Sequence, residues 1–221
     1  MSSRAGPDII TNGLVLHLNA ADPKSYPSTG TVWYDRSVNK NNGTLVNGPT
    51  FSSNNKGSII FDGINDYINI SYNSILNAST EFTVDFWFNS SDISLEQMIF
   101  STSNSIETAG YHIEIFLNKL ALQVYPSRVE TFSTETLVSN TFYNAIVSYD
   151  LGSVKYYING IPKGTANNTF TPSNVNVFFG AWSRSGLYFK GNLPLLRFYN
   201  RALTPSEILQ NFNATKSRYG L

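Results

Sequence analysis

The sequence predicts an all-β fold: two antiparallel sheets packed as a jelly-roll sandwich, with one short C-terminal helix. Three observations carry this. Apolar runs of strand length recur along the chain, each bounded by Gly, Asn, Asp or Ser. Aromatic residues make up 14% of the 221 residues, as many as the charged ones, so side chains suited to a pleated, half-buried surface are abundant. A single strong helix-start signature stands near the C-terminus.

The elements follow in order. Leu14 to Leu18 is a first strand after the Asn12-Gly13 turn. Ser58 to Phe61 and Tyr67 to Ile70 flank the stretch FDGINDY (61–67). Phe82 to Phe88 alternates, with Phe82, Val84, Phe86 and Phe88 on one face. Met98 to Phe100 follows. Tyr111 to Leu117 alternates again: Tyr111, Ile113, Ile115 and Leu117 share one face, His112, Glu114 and Phe116 the other. Asn118-Lys119 turns the chain into Leu120 to Tyr125. Phe142 to Tyr149 is a further strand. Asn159-Gly160 tolerates the positive φ angles of a type I′ turn, so the run from Lys155 to Pro162 is a hairpin. Val177 to Phe179 and Leu195 to Tyr199 complete the set. At the C-terminus, Thr204 is an N-cap, Pro205 the first helical residue and Glu207 the partner in a capping box, predicting a helix over about 204–217 with Gly220 as its stop. Residues 1–12 are expected to form an arm, and 13–221 one domain, because no linker, repeat or low-complexity tract divides them. The wide spacing between some strands favours jelly-roll connections over a meander.

Composition excludes several classes. Lys plus Arg equals Asp plus Glu at 15 each, with no basic stripe, which argues against nucleic-acid binding. No apolar run reaches membrane-spanning length, and the N-terminal MSSRAGPDIITNG lacks the apolar core of a secretory signal. With no cysteine there are no disulfides, zinc thiolates or thiol nucleophiles.

FDGINDY fails the calcium-loop pattern because Ile64 stands at a ligand position, and Asp62-Gly63 and Asn65-Asp66 read as turn formers. His112 and Glu114 share a strand face and could form an acid–base pair, but a polar outward face is the simpler reading. His17, Trp33 and Trp87 sit in strand-like runs and read as structural, the two tryptophans as core. Ligand contact falls to loops at the rim. Trp182 and Arg184, in Gly180 to Gly186, and Tyr125 and Arg128, in Tyr125 to Arg128, can stack on a sugar ring and donate to its oxygens. The opposing reading packs Trp182 over a sheet edge or against a neighbouring subunit.

Six segments in order, GLVLHLNAADPKSY (13–26), WYDRSVNKNNGTLVNGPTF (33–51), SIIFDGINDYINI (58–70), FTVDFWF (82–88), VKYYINGIPKG (154–164) and GNLPLLRFYNRALTPSEI (191–208), resemble the laminin-G-like, concanavalin A-like lectin/glucanase jelly-roll family. FYNRALTPSEILQNF with its RYG tail is most similar to versions in virion structural proteins of marine and cyanobacterial tailed phages. The resemblance implies a curved two-sheet sandwich whose members bind carbohydrate or protein, cleave polysaccharides or serve as structural modules. The glucanase branch carries Glu-x-Asp-x-Glu on one strand, and no such triplet occurs here, so no catalytic residues are expected. Family members hold one calcium ion where first and last strands meet, on acids whose places here are taken by Asn19 and Pro194; no metal and no cofactor is therefore expected. The expected function is a non-catalytic, lectin-like virion module on a phage capsid or tail. Its expected partners are other virion proteins, a host-surface glycan and further copies of the chain, with no membrane insertion. A purely structural decoration protein and a polysaccharide hydrolase are the alternatives.

Overall fold

The computed structural model describes residues 6–78, 80–103, 106–182 and 186–221. In chain order its strands are β1 (Leu14–Asn19), β2 (Val32–Trp33), β3 (Gly43–Val46), β4 (Thr50–Ser52), β5 (Ser58–Asp62), β6 (Tyr67–Ile70), β7 (Glu81–Ser90), β8 (Gln97–Ser101), β9 (Tyr111–Phe116), β10 (Lys119–Val124), β11 (Val129–Phe132), β12 (Tyr143–Asp150), β13 (Ser153–Ile158), β14 (Ile161–Asn167), β15 (Val177–Phe179) and β16 (Lys190–Tyr199). They form two antiparallel sheets. The first runs β14-β13-β12-β7-β16-β5-β4, with β1 also on β16; the second runs β11-β10-β9-β8-β15-β6-β3-β2.

Alternation builds the core. Phe82, Val84, Phe86 and Phe88 of β7 meet Tyr111, Ile113 and Ile115 of β9 in one buried cluster between the sheets. Phe82 stacks on Tyr111 at 4.5 Å and on Tyr149 at 5.2 Å between ring centroids. β16 changes partners along its length: Lys190 to Leu193 pairs with β5, and Leu195 to Tyr199 pairs with β1. The register against β7 shifts between Asn192 and Leu195, so Pro194 sits at the irregularity, where its missing N–H is harmless and its carbonyl accepts from the Ala20 N–H.

FDGINDY is a corner. It links β5 in the first sheet to β6 in the second, so it is no hairpin. Asp62 Oδ1 accepts from the Ile64 N–H at 2.7 Å, and Asp66 Oδ2 accepts from the Asp62 N–H at 3.0 Å. The Asn159-Gly160 hairpin forms with φ of 53° and 75°. The turn after β9 falls one residue earlier than its sequence suggests, on Leu117 and Asn118, both at positive φ.

The helix is shorter than its sequence predicts. Thr204 and Glu207 form the capping box of α1 (Pro205–Asn213), and a separate 3-10 turn spans Lys216–Tyr219, ended by Gly220 at φ 77°. α1 and this turn cover the outer face of the first sheet. Trp87 is a core residue, as expected, but of a smaller cluster under the helix and not of the one between the sheets. It is buried on that outer face, stacked on Phe212 and Tyr219, with its indole N–H on Thr215 Oγ1 at 3.0 Å. Trp33 does lie in the main core. The described part of the N-terminal arm packs here too: the Ile10 N–H donates to Asn211 Oδ1, and Tyr199 donates to the Ile10 carbonyl. Among the described residues no helix is long and apolar enough to cross a membrane.

Candidate functional site

The outer face of the second sheet holds a cavity of about 250 Å³. Its floor is set by register. Ser101, His112, Gln123 and Glu130 stand opposite one another across β8, β9, β10 and β11. Because Tyr111, Ile113 and Ile115 point into the core, His112 and Glu114 must point the other way. Both are nonetheless buried, at 1% and 3% exposure, so the polar outward face expected from the sequence is in fact a covered one. Alternation assigns a face, and the cover comes from segments distant in sequence.

Two of those segments carry sequence-predicted residues. Trp182 follows β15, where the chain is tied to β8 by the Gly180 N–H on the Ile99 carbonyl and the Met98 N–H on the Leu187 carbonyl. Its indole N–H donates to Ser103 Oγ at 2.8 Å, and its ring meets the edge of His112 at 5.4 Å. Tyr125, at the end of β10, meets His112 from another side at 4.9 Å and donates its hydroxyl to Gln123 Oε1. Arg128, exposed at the rim, is ion-paired with Glu107. Trp182, Tyr125 and Arg128 thus line one cavity; Arg184 lies outside the described residues. His112, Glu114, Gln123, Glu96 and Glu107 join them there.

Burial sets the electrostatics. His112 is pushed down to about 3, so its imidazole is neutral at physiological pH. Both ring nitrogens are buried and have no partner among the described residues. Glu114 is pushed up to about 9 by burial first, then by its hydrogen bond to Glu130 and the charges of Glu130 and Glu96. Glu130 is raised as well, chiefly by burial. Glu114 therefore keeps its proton at pH 7 and acts as a hydrogen-bond donor. Sequence reasoning missed Glu130 because β11 is a short strand of mostly half-buried residues with little apolar signal.

At the other end of the sandwich, Asn19 Oδ1 accepts from the Ala21 N–H and from Arg218 Nη1, both at 3.1 Å. A guanidinium thus contacts the position where the family's calcium-binding acid would stand. Among the described residues no group of three or more His, Asp or Glu side chains is placed to hold a metal ion.

The family model described as concanavalin A-like lectin/glucanases superfamily, of the laminin-G type, matches residues 62–209. The chain belongs to this superfamily. No curated protein matches its sequence. Several solved structures share its fold. The binding domain of Paraclostridial Mosquitocidal Protein 1 superposes with a TM-score of 0.72 at 17% identity, over 91% of this chain and 52% of that one. Domain 4 of AbnA, a GH43 extracellular arabinanase from Geobacillus stearothermophilus, solved in complex with arabinotriose, gives 0.71 at 19%, over 92% of this chain and 100% of that one. The botulinum neurotoxin serotype D binding domain gives 0.69 at 16%, over 92% and 52%. The chain spans about half the length of the two toxin structures. At these identities the likeness is one of fold: a lectin-type sandwich shared with binding domains, within a superfamily that also includes glucanases.

Proposed function

We propose that this chain is a non-catalytic glycan-binding module and that its combining site is the cavity between Trp182, His112 and Tyr125. The observation that carries the reading is His112. A neutral imidazole offers one donor and one acceptor, and here both are buried beside two aromatic rings without a partner among the described residues. Leaving such groups unpaired is costly, on the order of 1–3 kcal/mol each. A sugar hydroxyl supplies a donor and an acceptor together, while the C–H face of a pyranose suits Trp182. The charges favour an uncharged glycan: Glu96, Glu107 and Glu114 line the cavity, and its Arg128 is already committed to Glu107. Sialic and uronic acids would bring a carboxylate towards carboxyls. The arabinotriose complex of the arabinanase domain and the binding domains of the toxins support the reading through fold alone.

The wider setting in this proposal is a phage virion, with other virion proteins as neighbours and a host-surface glycan as target. Its support is the ordered wording of the sequence segments, above all FYNRALTPSEILQNF. A second reading, polysaccharide hydrolysis, draws on Glu114: a protonated carboxyl beside Glu130 and Glu96 has the chemistry of a general acid near a carboxylate. A glycan array followed by turnover assays separates the readings. Binding to neutral glycans, lost on Trp182→Ala, with no product released, is the expected result. Turnover abolished by Glu114→Gln would establish the hydrolase. Binding to no glycan would leave the sandwich a structural decoration. Mass spectrometry of purified particles tests the virion setting, and absence of the chain from them would overturn it.

A further inference from the structure

A second cavity, of about 410 Å³, lies at the opposite side of the molecule, between the N-terminal arm, β1 and the 3-10 turn. It is lined by Asp8, His17, Asn19, Lys56, Thr215 and Arg218, among others. Its chemistry is cationic. Arg218 gives Nη1 to Asn19 Oδ1, but its Nε and Nη2 are buried and have no partner among the described residues. Those two atoms form one edge of the guanidinium, the edge that grips two oxygens of a carboxylate or phosphate in parallel. His17 Nε2, also buried, has no partner among the described residues either. Arg197 stands next to His17 in register across β1 and β16 and adds a further buried positive charge.

The nearby acids do not neutralise Arg218. Asp85 is ion-paired with Arg197 at 3.0 Å and accepts from Asn144 and Asn211. Asp35 accepts from the N–H groups of His17, Ser37 and Asn41 and from the Ser37 hydroxyl. Asp22 is paired with Arg36. Asp8, the one acid among the described residues of the cavity wall, is not free. Among the described residues Arg218 has no carboxylate partner. A largely buried guanidinium is normally paired, because desolvating a charge without a counter-charge is expensive. Burial and the charge of Arg197 accordingly lower the pKa of Arg218.

We propose that this cavity binds a small oxyanion, carboxylate or phosphate, on the Nε–Nη2 edge of Arg218, with His17 as a further hydrogen-bonding group and Lys56 at the rim. The site is separate from the glycan cavity, and the two proposals stand or fall independently.

The chain has two histidines, one in each cavity, so imidazole nitrogen NMR reads both sites in the intact protein. Inorganic phosphate and acetate are titrated separately at constant ionic strength. The expected result is a saturable shift of the His17 resonances with at least one anion, while those of His112 stay fixed. A response to phosphate alone assigns a phosphate group, to acetate alone a carboxylate, and to both the shared planar edge. Arg218→Gln removes the charge and Arg218→Lys removes the edge; each should weaken binding about tenfold or more, as loss of a bidentate charged pair does. Lys56 is exposed, so Lys56→Gln tests the site without touching the packed interior; affinity should fall roughly twofold to fivefold, the effect of one partly screened charge. No saturable His17 shift with either anion, or binding indifferent to both Arg218→Gln and Lys56→Gln, would overturn the proposal.

Discussion

Replacing Glu114 by Gln should stabilise this protein, and by an amount that grows with pH. In the folded chain Glu114 is held at about 9, against 4.5 for an ordinary glutamate. Between these values the unfolded chain has released the proton and the folded chain still holds it. The unfolded state thus binds fewer protons, and stability falls as pH rises. The slope approaches about 1.4 kcal/mol per pH unit, so by pH 7 the wild type has lost on the order of 3 kcal/mol to this group. The amide of Glu114→Gln cannot ionise, and its N–H can still donate to Glu130. Taken alone, that loss corresponds to a Tm difference of roughly 6–12 °C at pH 7, since about 1 kcal/mol moves Tm by 2–4 °C at this chain length. At pH 5, just above the ordinary glutamate value, the difference should shrink to roughly a quarter of that. Thermal unfolding of both proteins by circular dichroism at pH 5, 6, 7 and 8, at one ionic strength, measures it. The histidines titrate alike in both proteins and drop out of the comparison. A Tm difference constant across this range, or a variant less stable at every pH, would refute the reasoning.

Gly191→Ala should destabilise the fold severely, by about 3 kcal/mol or more, because at φ 148° its Cβ would stand 2.1 Å from the Asn89 carbonyl oxygen; chemical denaturation reads this out. Thr204→Ala should cost about 1 kcal/mol through loss of the helix cap, measured the same way. Glu207 is held at about 2, mainly by its hydrogen bond to Arg201, so its small, surface-screened contribution is present above about pH 4.5 and fades as pH falls towards 2; Glu207→Gln should flatten the acid limb of the unfolding profile. Trp182→Ala should abolish glycan binding while shifting Tm by only a few degrees, because the ring lies half-buried at the surface of the sandwich.

Much of this fold is legible along the chain because period-two alternation sorts side chains between faces with no need of tertiary information. Phe82 to Phe88 and Tyr111 to Ile115 reveal their core sides that way. The helix start is legible because Thr204, Pro205 and Glu207 act locally. What alternation cannot report is whether the opposite face meets water. Trp87 and Glu114 occupy equivalent positions, each turned away from the inter-sheet core, and each is buried by a segment remote in sequence. For Trp87 the cover is α1 and the turn after it. For His112 and Glu114 it is Trp182, Tyr125 and their neighbours. Of the residues that line the candidate cavity, Trp182, Tyr125 and Arg128 stand out in the sequence because they are aromatic or Arg residues in loops. That they converge on His112, and that Glu130 joins Glu114, depends on the register of β9, β10 and β11, which no local pattern encodes.

The most direct test of the central claim follows the imidazole nitrogens of His112 and the indole N–H of Trp182 while a neutral glycan chosen from the array is titrated into the intact protein. Saturable shifts at both residues with one affinity, His17 unmoved and the glycan intact at the end, are what a combining site in this cavity produces. A glycan that binds while His112 and Trp182 keep their resonances, or that is cleaved in the tube, would contradict it.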